Sequence, residues 1–276
     1  MKRDETPGPL TQFLHVDEGR VGYDIQGSGR LVVLVPGMGD LRSTYRFLVP
    51  ALVASGHTAV TMDLRGHGDS DTTFSNYGDA PTAGDIVALL HQLGPAVIIG
   101  NSMSAGAAVI VAADHPDLVH GLVLVGPFVR QPASDSALSR LFFRVLMAPL
   151  WAAAVWRAYL PKLYAGRLPD DFAAHRDEIV RSIRRPAYAR TFSLTTRTSH
   201  VQAGASLDRV DTPTLVVMGE NDPDFKDPKA EAEWIAGTLN GRAVVVGDAG
   251  HYPHSQQPEQ VALAITDFLK EVKELG

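Results

Sequence analysis

An α/β fold, a mostly parallel central sheet interrupted by one all-helical insertion, is predicted by three features of the 276-residue sequence. Short apolar runs alternate with helical stretches, the signature of a sheet covered by helices. The runs are rich in β-branched residues and apolar throughout, as strands buried on both faces require. The alternation then stops between residues 131 and 210, where the pattern is helical and Pro149, Pro161, Pro169 and Pro186 punctuate it.

Each element follows in order. Residues 11–18 and 20–25 read as an antiparallel pair joined at Glu18-Gly19. Buried strands are expected at 31–35, 59–62, 96–99, 122–125 and 215–218, with a further strand at 243–246. Helical patterns cover about 43–54, 82–93, 103–114, 228–239 and 257–273. The last is amphipathic, with Val261, Ile265, Phe268 and Leu269 on one face. Residues 1–130 and 211–276 thus read as a core domain. Residues 131–210 read as a helical cap over the carboxyl ends of the strands, where open α/β sheets bind ligands.

Composition narrows the function classes. The absence of cysteine excludes disulfides, zinc–thiolate sites, iron–sulfur clusters and a cysteine nucleophile together. Residues 1–9 are polar and lack the apolar stretch of a secretory signal. The uncharged apolar run 145–156 falls short of the roughly 20 residues a transmembrane helix needs. A soluble, cytoplasmic protein is therefore expected. The formal net charge of −6 conceals an asymmetry, because residues 131–210 carry twelve Lys/Arg against six Asp/Glu. No nucleic-acid-binding motif accompanies these arginines, and the chain is acidic as a whole, so no nucleic-acid partner is expected. They read as a solvated face docked on an acidic neighbour; the sharper alternative is a basic lid attracting anionic substrates. With no phosphate loop, dinucleotide fingerprint or clustered ligand pattern, no organic cofactor and no metal are expected.

The strongest local signal is Gly100-Asn101-Ser102-Met103-Ser104, where a buried strand ends and a helix begins at once. A serine on such a sharp turn exposes its hydroxyl, and small residues two before and two after it prevent a backbone clash. As a purely structural feature the segment would be a tight turn with an N-cap serine. A serine nucleophile needs an adjacent base. His251, in Asp248-Ala249-Gly250-His251-Tyr252-Pro253, lies past the last strand at the same sheet edge. His67, in a glycine-rich loop, is its main rival, and His254 a weaker one. A carboxylate must orient the base. Asp222 follows the strand at 215–218, with Glu220, Asp224 and Asp227 as competitors that read as surface carboxylates. The order nucleophile, acid, base belongs to this strand–turn–helix architecture. Donors for a developing oxyanion are the N–H of Met103, directly after the serine, and that of Met38 in Val35-Pro36-Gly37-Met38-Gly39-Asp40.

Together these segments resemble the α/β-hydrolase superfamily over almost the whole chain. The matching stretches are 35–39, 63–70, 100–106, 219–223 and 250–258. Pro36 stands where many members have histidine, Ser104 where a second glycine is usual, and Gln256 where a glutamate often follows the catalytic histidine. A serine nucleophile sets the chain apart from the haloalkane dehalogenase and epoxide hydrolase branches. The resemblance implies a carboxylic ester hydrolase working through an acyl-enzyme. Carbon–carbon bond hydrolases, to which Gly100-Asn101-Ser102-Met103 is similar, and lactonases use the same triad, and a ligand-sensing receptor could retain it with little turnover.

The large apolar side chains of the insertion suggest a hydrophobic small-molecule substrate. Leu138, Phe142, Val145 and Trp156 read as lying off the stripe that holds Leu141, Met147 and Trp151. On that reading the cap has a second apolar face, and Phe142, Met147 and Trp151 line an acyl or aromatic pocket. Activity is expected to fall as pH drops through an apparent pKa of about 6–7, the range of an ordinary histidine.

Overall fold

A computed structural model describes residues 10–131 and 136–275. The polar amino terminus at 1–9 and residues 132–135 of the expected cap lie outside the described residues. Eight strands form one sheet: β1 (Gln12–Val16), β2 (Gly19–Gly27), β3 (Arg30–Val35), β4 (His57–Met62), β5 (Ala96–Asn101), β6 (Val119–Val125), β7 (Thr214–Gly219) and β8 (Arg242–Val246). Their order is β1-β2-β4-β3-β5-β6-β7-β8. β2 pairs antiparallel with β1 and β4, and every pairing from β4 to β8 is parallel.

Alternation along each central strand divides the core in two. Val33, Val35, Ile98, Leu124, Val216 and Met218 face one layer of helices. That layer includes α2 (Asp79–Leu93), α3 (Met103–Asp114) and α9 (Pro228–Thr238). Val32, Leu34, Ile99, Val123, Val125 and Val217 face the other layer. It holds α1 (Leu48–Ala54) and α11 (Pro258–Leu275), whose Val261, Ile265, Phe268 and Leu269 are all buried. Period-two side chains buried on both sides explain why these strands are apolar without a break.

One expected helix is divided near a proline. The stretch at 43–54 is a 3-10 turn, Arg42–Tyr45, followed by α1. Pro50 has no N–H to give, and its ring would clash with the carbonyl four residues back, so the helix restarts with Pro50 in its first turn. The helix expected at 257–273 is the undivided α11, which opens on Pro258, and a short α10 (Pro253–Gln256) precedes it.

Between β6 and β7 the chain runs through α4 (Ala137–Leu146), α5 (Ala152–Leu163), α6 (Phe172–Ile183), α7 (Pro186–Thr195) and α8 (Val201–Ser206). Met147, Trp156, Leu160, Tyr164, Ile179 and Phe192 form a third apolar cluster with Leu41 and Tyr252 of the sheet region. Ala203 on α8 packs instead with α3 in the first core cluster.

Phe268 lies over Gly121 of β6, where even an added methyl carbon would stand 3.4 Å from its ring. Phe268→Ala should therefore cost about 3–5 kcal/mol, read as a lower urea midpoint. Leu263→Ala on the exposed side of the same helix should stay within about 0.5 kcal/mol. Equal losses at both positions would contradict the packing described.

Candidate active site

The carboxyl ends of β3, β5, β7 and β8 bring the sequence-predicted residues to one edge. β5 ends at Asn101, α3 begins at Met103, and Ser102 between them has φ 57° and ψ −120°. Non-glycine residues avoid this conformation, and holding one there costs about 1–3 kcal/mol. The surroundings leave no alternative. The Ser102 N–H donates to the Val125 carbonyl at 2.8 Å, and Asn101 Nδ2 donates to the same oxygen at 3.0 Å. At Gly100 a Cβ would stand 2.5 Å from the Ser104 carbonyl oxygen. Ser104, the departure from the usual glycine, is buried and its hydroxyl donates to the Pro36 carbonyl at 2.6 Å. It ties the serine turn to the loop after β3.

His251 and Asp222 are both buried, and Nδ1 of the ring lies 2.7 Å from Asp222 Oδ2. The proton on Nδ1 is donated to that carboxylate, which leaves Nε2 as the basic nitrogen. Asp222 Oδ1 accepts the Asp224 N–H at 3.1 Å, fixing the carboxylate. Burial opposes charge on His251, but Asp222, with help from Asp224 and Asp40, outweighs it and pushes the pKa up to about 9. The unperturbed range expected from sequence is therefore too low. No hydrogen bond joins Ser102 to His251 among the described residues, a spacing common before substrate binds.

The rival groups have other work. Asp224 is not a surface bystander. Its Oδ2 lies 3.8 Å from His251 Nδ1, and Oδ1 accepts the Tyr159 hydroxyl at 2.7 Å. Asp227 caps α9 by accepting the Ala230 N–H, and Glu220 is exposed. His67 Nδ1 donates to the Arg65 carbonyl at 2.9 Å, so its Nε2 accepts the Gly39 N–H at 3.1 Å. Burial holds it below its ordinary pKa and keeps it neutral. His254 is buried with Nε2 3.0 Å from the Thr44 hydroxyl, and burial pushes its pKa down to about 3.

The loop at 36–40 is fixed by groups from outside it. The Gly39 carbonyl accepts the Trp156 indole N–H from α5 at 2.8 Å, opposite the bond to His67. A side chain at Gly39 would meet the Trp156 and Phe192 rings at 2.6 Å. Asp40, fully buried, accepts the Leu41 N–H at 2.7 Å and His175 Nε2 of α6 at 3.0 Å. Among the described residues, neither the Met38 nor the Met103 N–H has a hydrogen-bond partner. Both remain able to donate to an oxyanion.

Residues between β6 and β7 also hold the His251 segment. The His251 N–H donates to the Leu163 carbonyl of α5 at 2.7 Å. Gln256 accepts the Gly250 N–H at 2.9 Å and donates to the Ala165 and Arg167 carbonyls at 3.0 and 2.8 Å. An amide can accept and donate at once, which an ionised glutamate at this position could not do.

The expected pocket residues divide. Met147 is buried in the third apolar cluster. Phe142 is 67% exposed, and Trp151, 43% exposed, turns its N–H back onto the Val145 and Leu146 carbonyls. Phe142 lines no enclosed space, because the apolar side of α4 faces outward. Phe128 and Phe225 were not found from sequence. Their rings stack 5.0 Å apart, with Phe128 6.0 Å from the His251 ring. No pattern in either loop marks them, since proximity to His251 comes from the fold. A surface cavity of about 340 Å³ lies elsewhere, over the ion pairs of Arg42 with Asp24, Asp63 and Asp69. As for metals, ligand atoms of Asp222, Asp224 and His251 come within 4.8 Å of one another. A cation there would have to displace the His251–Asp222 hydrogen bond.

Strain at Ser102 gives a test independent of chemistry. For glycine, φ 57° with ψ −120° is the mirror image of ordinary extended backbone. Ser102→Gly should stabilise the fold by about 1 kcal/mol in urea titration, whereas Ser102→Ala should not. A Ser102→Gly protein no more stable than Ser102→Ala would mean that the turn carries no strain.

The alpha/beta hydrolase family pattern matches residues 32–264. The chain is 28% identical to a 2-(acetamidomethylene)succinate hydrolase of Mesorhizobium japonicum over 92% of its length and 94% of the relative. It is 26% identical to a pyrrolizixenacetamide deacetylase of Xenorhabdus hominickii, over 92% and 96% respectively. A thermophilic esterase from Thermogutta terrifontis superposes with a TM-score of 0.73 at 24% identity, covering 96% of this chain and 99% of that one. At that identity the superposition speaks for the fold. With a match across most of its length, the chain belongs to the alpha/beta hydrolase family.

Proposed function

We propose that the protein cleaves carboxylic esters of hydrophobic small molecules through an acyl-enzyme on Ser102. The observation that carries this reading is the buried 2.7 Å hydrogen bond between Asp222 and His251 at the sheet edge that presents Ser102. Ser102 Oγ attacks the carbonyl carbon while His251 Nε2 takes its proton. The oxyanion so formed is held by the N–H groups of Met38 and Met103. Collapse expels the alcohol, which leaves with the proton from His251. Water then repeats the sequence on the acyl-serine and releases the acid. Asp222 keeps the tautomer and stabilises the imidazolium.

In this reading residues 131–210 are the cap, and their contacts support it: Trp156 and His175 hold the Met38 loop, and Leu163 holds His251. Half-buried Met38, Phe128 and Phe225 form the inner wall of the acyl site. Met147 backs it through the Trp156 cluster, while Phe142 and Trp151, exposed on the outward side, take no part in it.

A second reading is amide hydrolysis by the same steps. It is favoured by two relatives matched over most of their length, whose names contain an acetamido or acetamide group. A panel of p-nitrophenyl esters, N-acetyl amides, lactones and vinylogous diketo acids separates these readings by kcat/KM. Ester turnover should lead, and should fall by about 10⁴ or more in Ser102→Ala, His251→Ala and Asp222→Asn. Full activity in Asp222→Asn with loss in Asp224→Asn would move the acid role to Asp224.

The pH profile carries a further expectation. Only neutral His251 accepts the serine proton, so kcat/KM should rise with pH through a limb displaced above 6.5, toward about 9. Asp224→Asn removes one stabilising charge and should shift that limb downward. The same sign governs folding: the protonated pair adds stability in full below about pH 6.5, and loses it as pH rises through about 9. A limb below 6.5, unmoved by Asp224→Asn, would contradict the electrostatics.

A further inference from the structure

The helix α4 is turned the wrong way for a helix of a globular protein. Leu138, Leu141, Phe142 and Val145 recur at the spacing of one helical face, and their exposures are 77%, 58%, 67% and 56%. Such a stripe normally seeks the core. Here the helix is anchored from its end, where Leu146 and Met147 join the cap cluster. Leu150, 87% exposed, and the Trp151 ring extend the outward surface beyond the helix. A contiguous apolar patch of this kind on a soluble surface marks an interaction site.

We propose that α4 docks this protein onto an anionic phospholipid surface, lying in the interface plane with its apolar face among the lipids. Charge identifies the occupant. Arg140 and Arg144 are exposed on the remainder of the same helix, the arrangement of helices that rest on anionic membranes. Arg144 stands beside Arg197, and neither has an ion-pair partner among the described residues. Residues 131–210, with twelve cations to six anions, are a positive segment of an otherwise acidic chain. A second copy is the poorer fit, since a two-fold interface uses the same patch twice and would gather the Arg144 and Arg197 charges of both copies in one interface. The segments outside the described residues, 1–9 and 132–135, offer only Met1 as a large apolar side chain. None of the described helices is long and apolar enough to cross a membrane, so the contact is to the surface.

The experiment is vesicle flotation with Ser102→Ala protein, which separates the result from the esterase reading. Vesicles of phosphatidylcholine alone are compared with vesicles containing about one-third phosphatidylglycerol. Binding should be at least tenfold stronger to the anionic vesicles and should fall in 0.5 M salt. The triple variant Leu138→Glu/Leu141→Glu/Val145→Glu should lose that binding while keeping the wild-type rate on soluble p-nitrophenyl acetate when Ser102 is present. All three positions are exposed, so its far-ultraviolet circular dichroism should be unchanged. No binding to anionic vesicles at millimolar lipid would overturn the proposal. So would equal binding by the triple variant, or a wild-type dimer in light scattering that this variant converts to monomer.

Discussion

The arrangement rests on one constraint, the left-handed backbone at Ser102. β5 sits between β3 and β6 in a parallel sheet, and its last residues are hydrogen-bonded to β6 through Val125. The chain must reverse there into α3 within one residue, and the residue that takes the strain is a serine. Everything else at the site is placed relative to that turn. Ser104, two residues further on, reaches back to Pro36 and sets the distance to the Met38 loop. The neighbouring parallel strands deliver Asp222 and His251 to the same edge because their carboxyl ends are level.

The helical segment between β6 and β7 does more than cover this edge. Three of its groups reach the candidate site: Trp156 to Gly39, His175 to Asp40, and the Leu163 carbonyl to His251. Because the loop before Asp40 has few hydrogen bonds of its own, its geometry depends on helices more than 100 residues away. Under the proposed mechanism, substitutions in that segment alter the chemical step through positioning alone. Asp40 is central to this arrangement. Burial disfavours its charge, but His175 and the Leu41 N–H hold it ionised and below its ordinary pKa.

What the sequence reveals is what strand ends and spacing encode. Ser102, Asp222 and His251 each follow a strand, and their common edge is a consequence of parallel topology. Roles set by partners distant in sequence were hidden. His67 is a plausible base until its two nitrogens are seen to be engaged by Arg65 and Gly39. Asp224 reads as a surface loop carboxylate, and only the fold brings Tyr159 and His251 to it. The misreading at α4 has a different cause. Leu141 shares a face with Leu138, Phe142 and Val145, so α4 carries one apolar stripe and not two, and spacing alone does not tell whether that stripe turns inward; it turns outward.

The most direct test of the central claim is to trap the intermediate. Rapid mixing with a p-nitrophenyl ester, an acid quench and intact-mass measurement should find one added acyl group per chain, and peptide mapping should place it on Ser102. The adduct should form within the burst of nitrophenol release and decay at the steady-state rate. An acyl group on another residue, or steady turnover with no adduct at any quench time and no burst, would contradict the account.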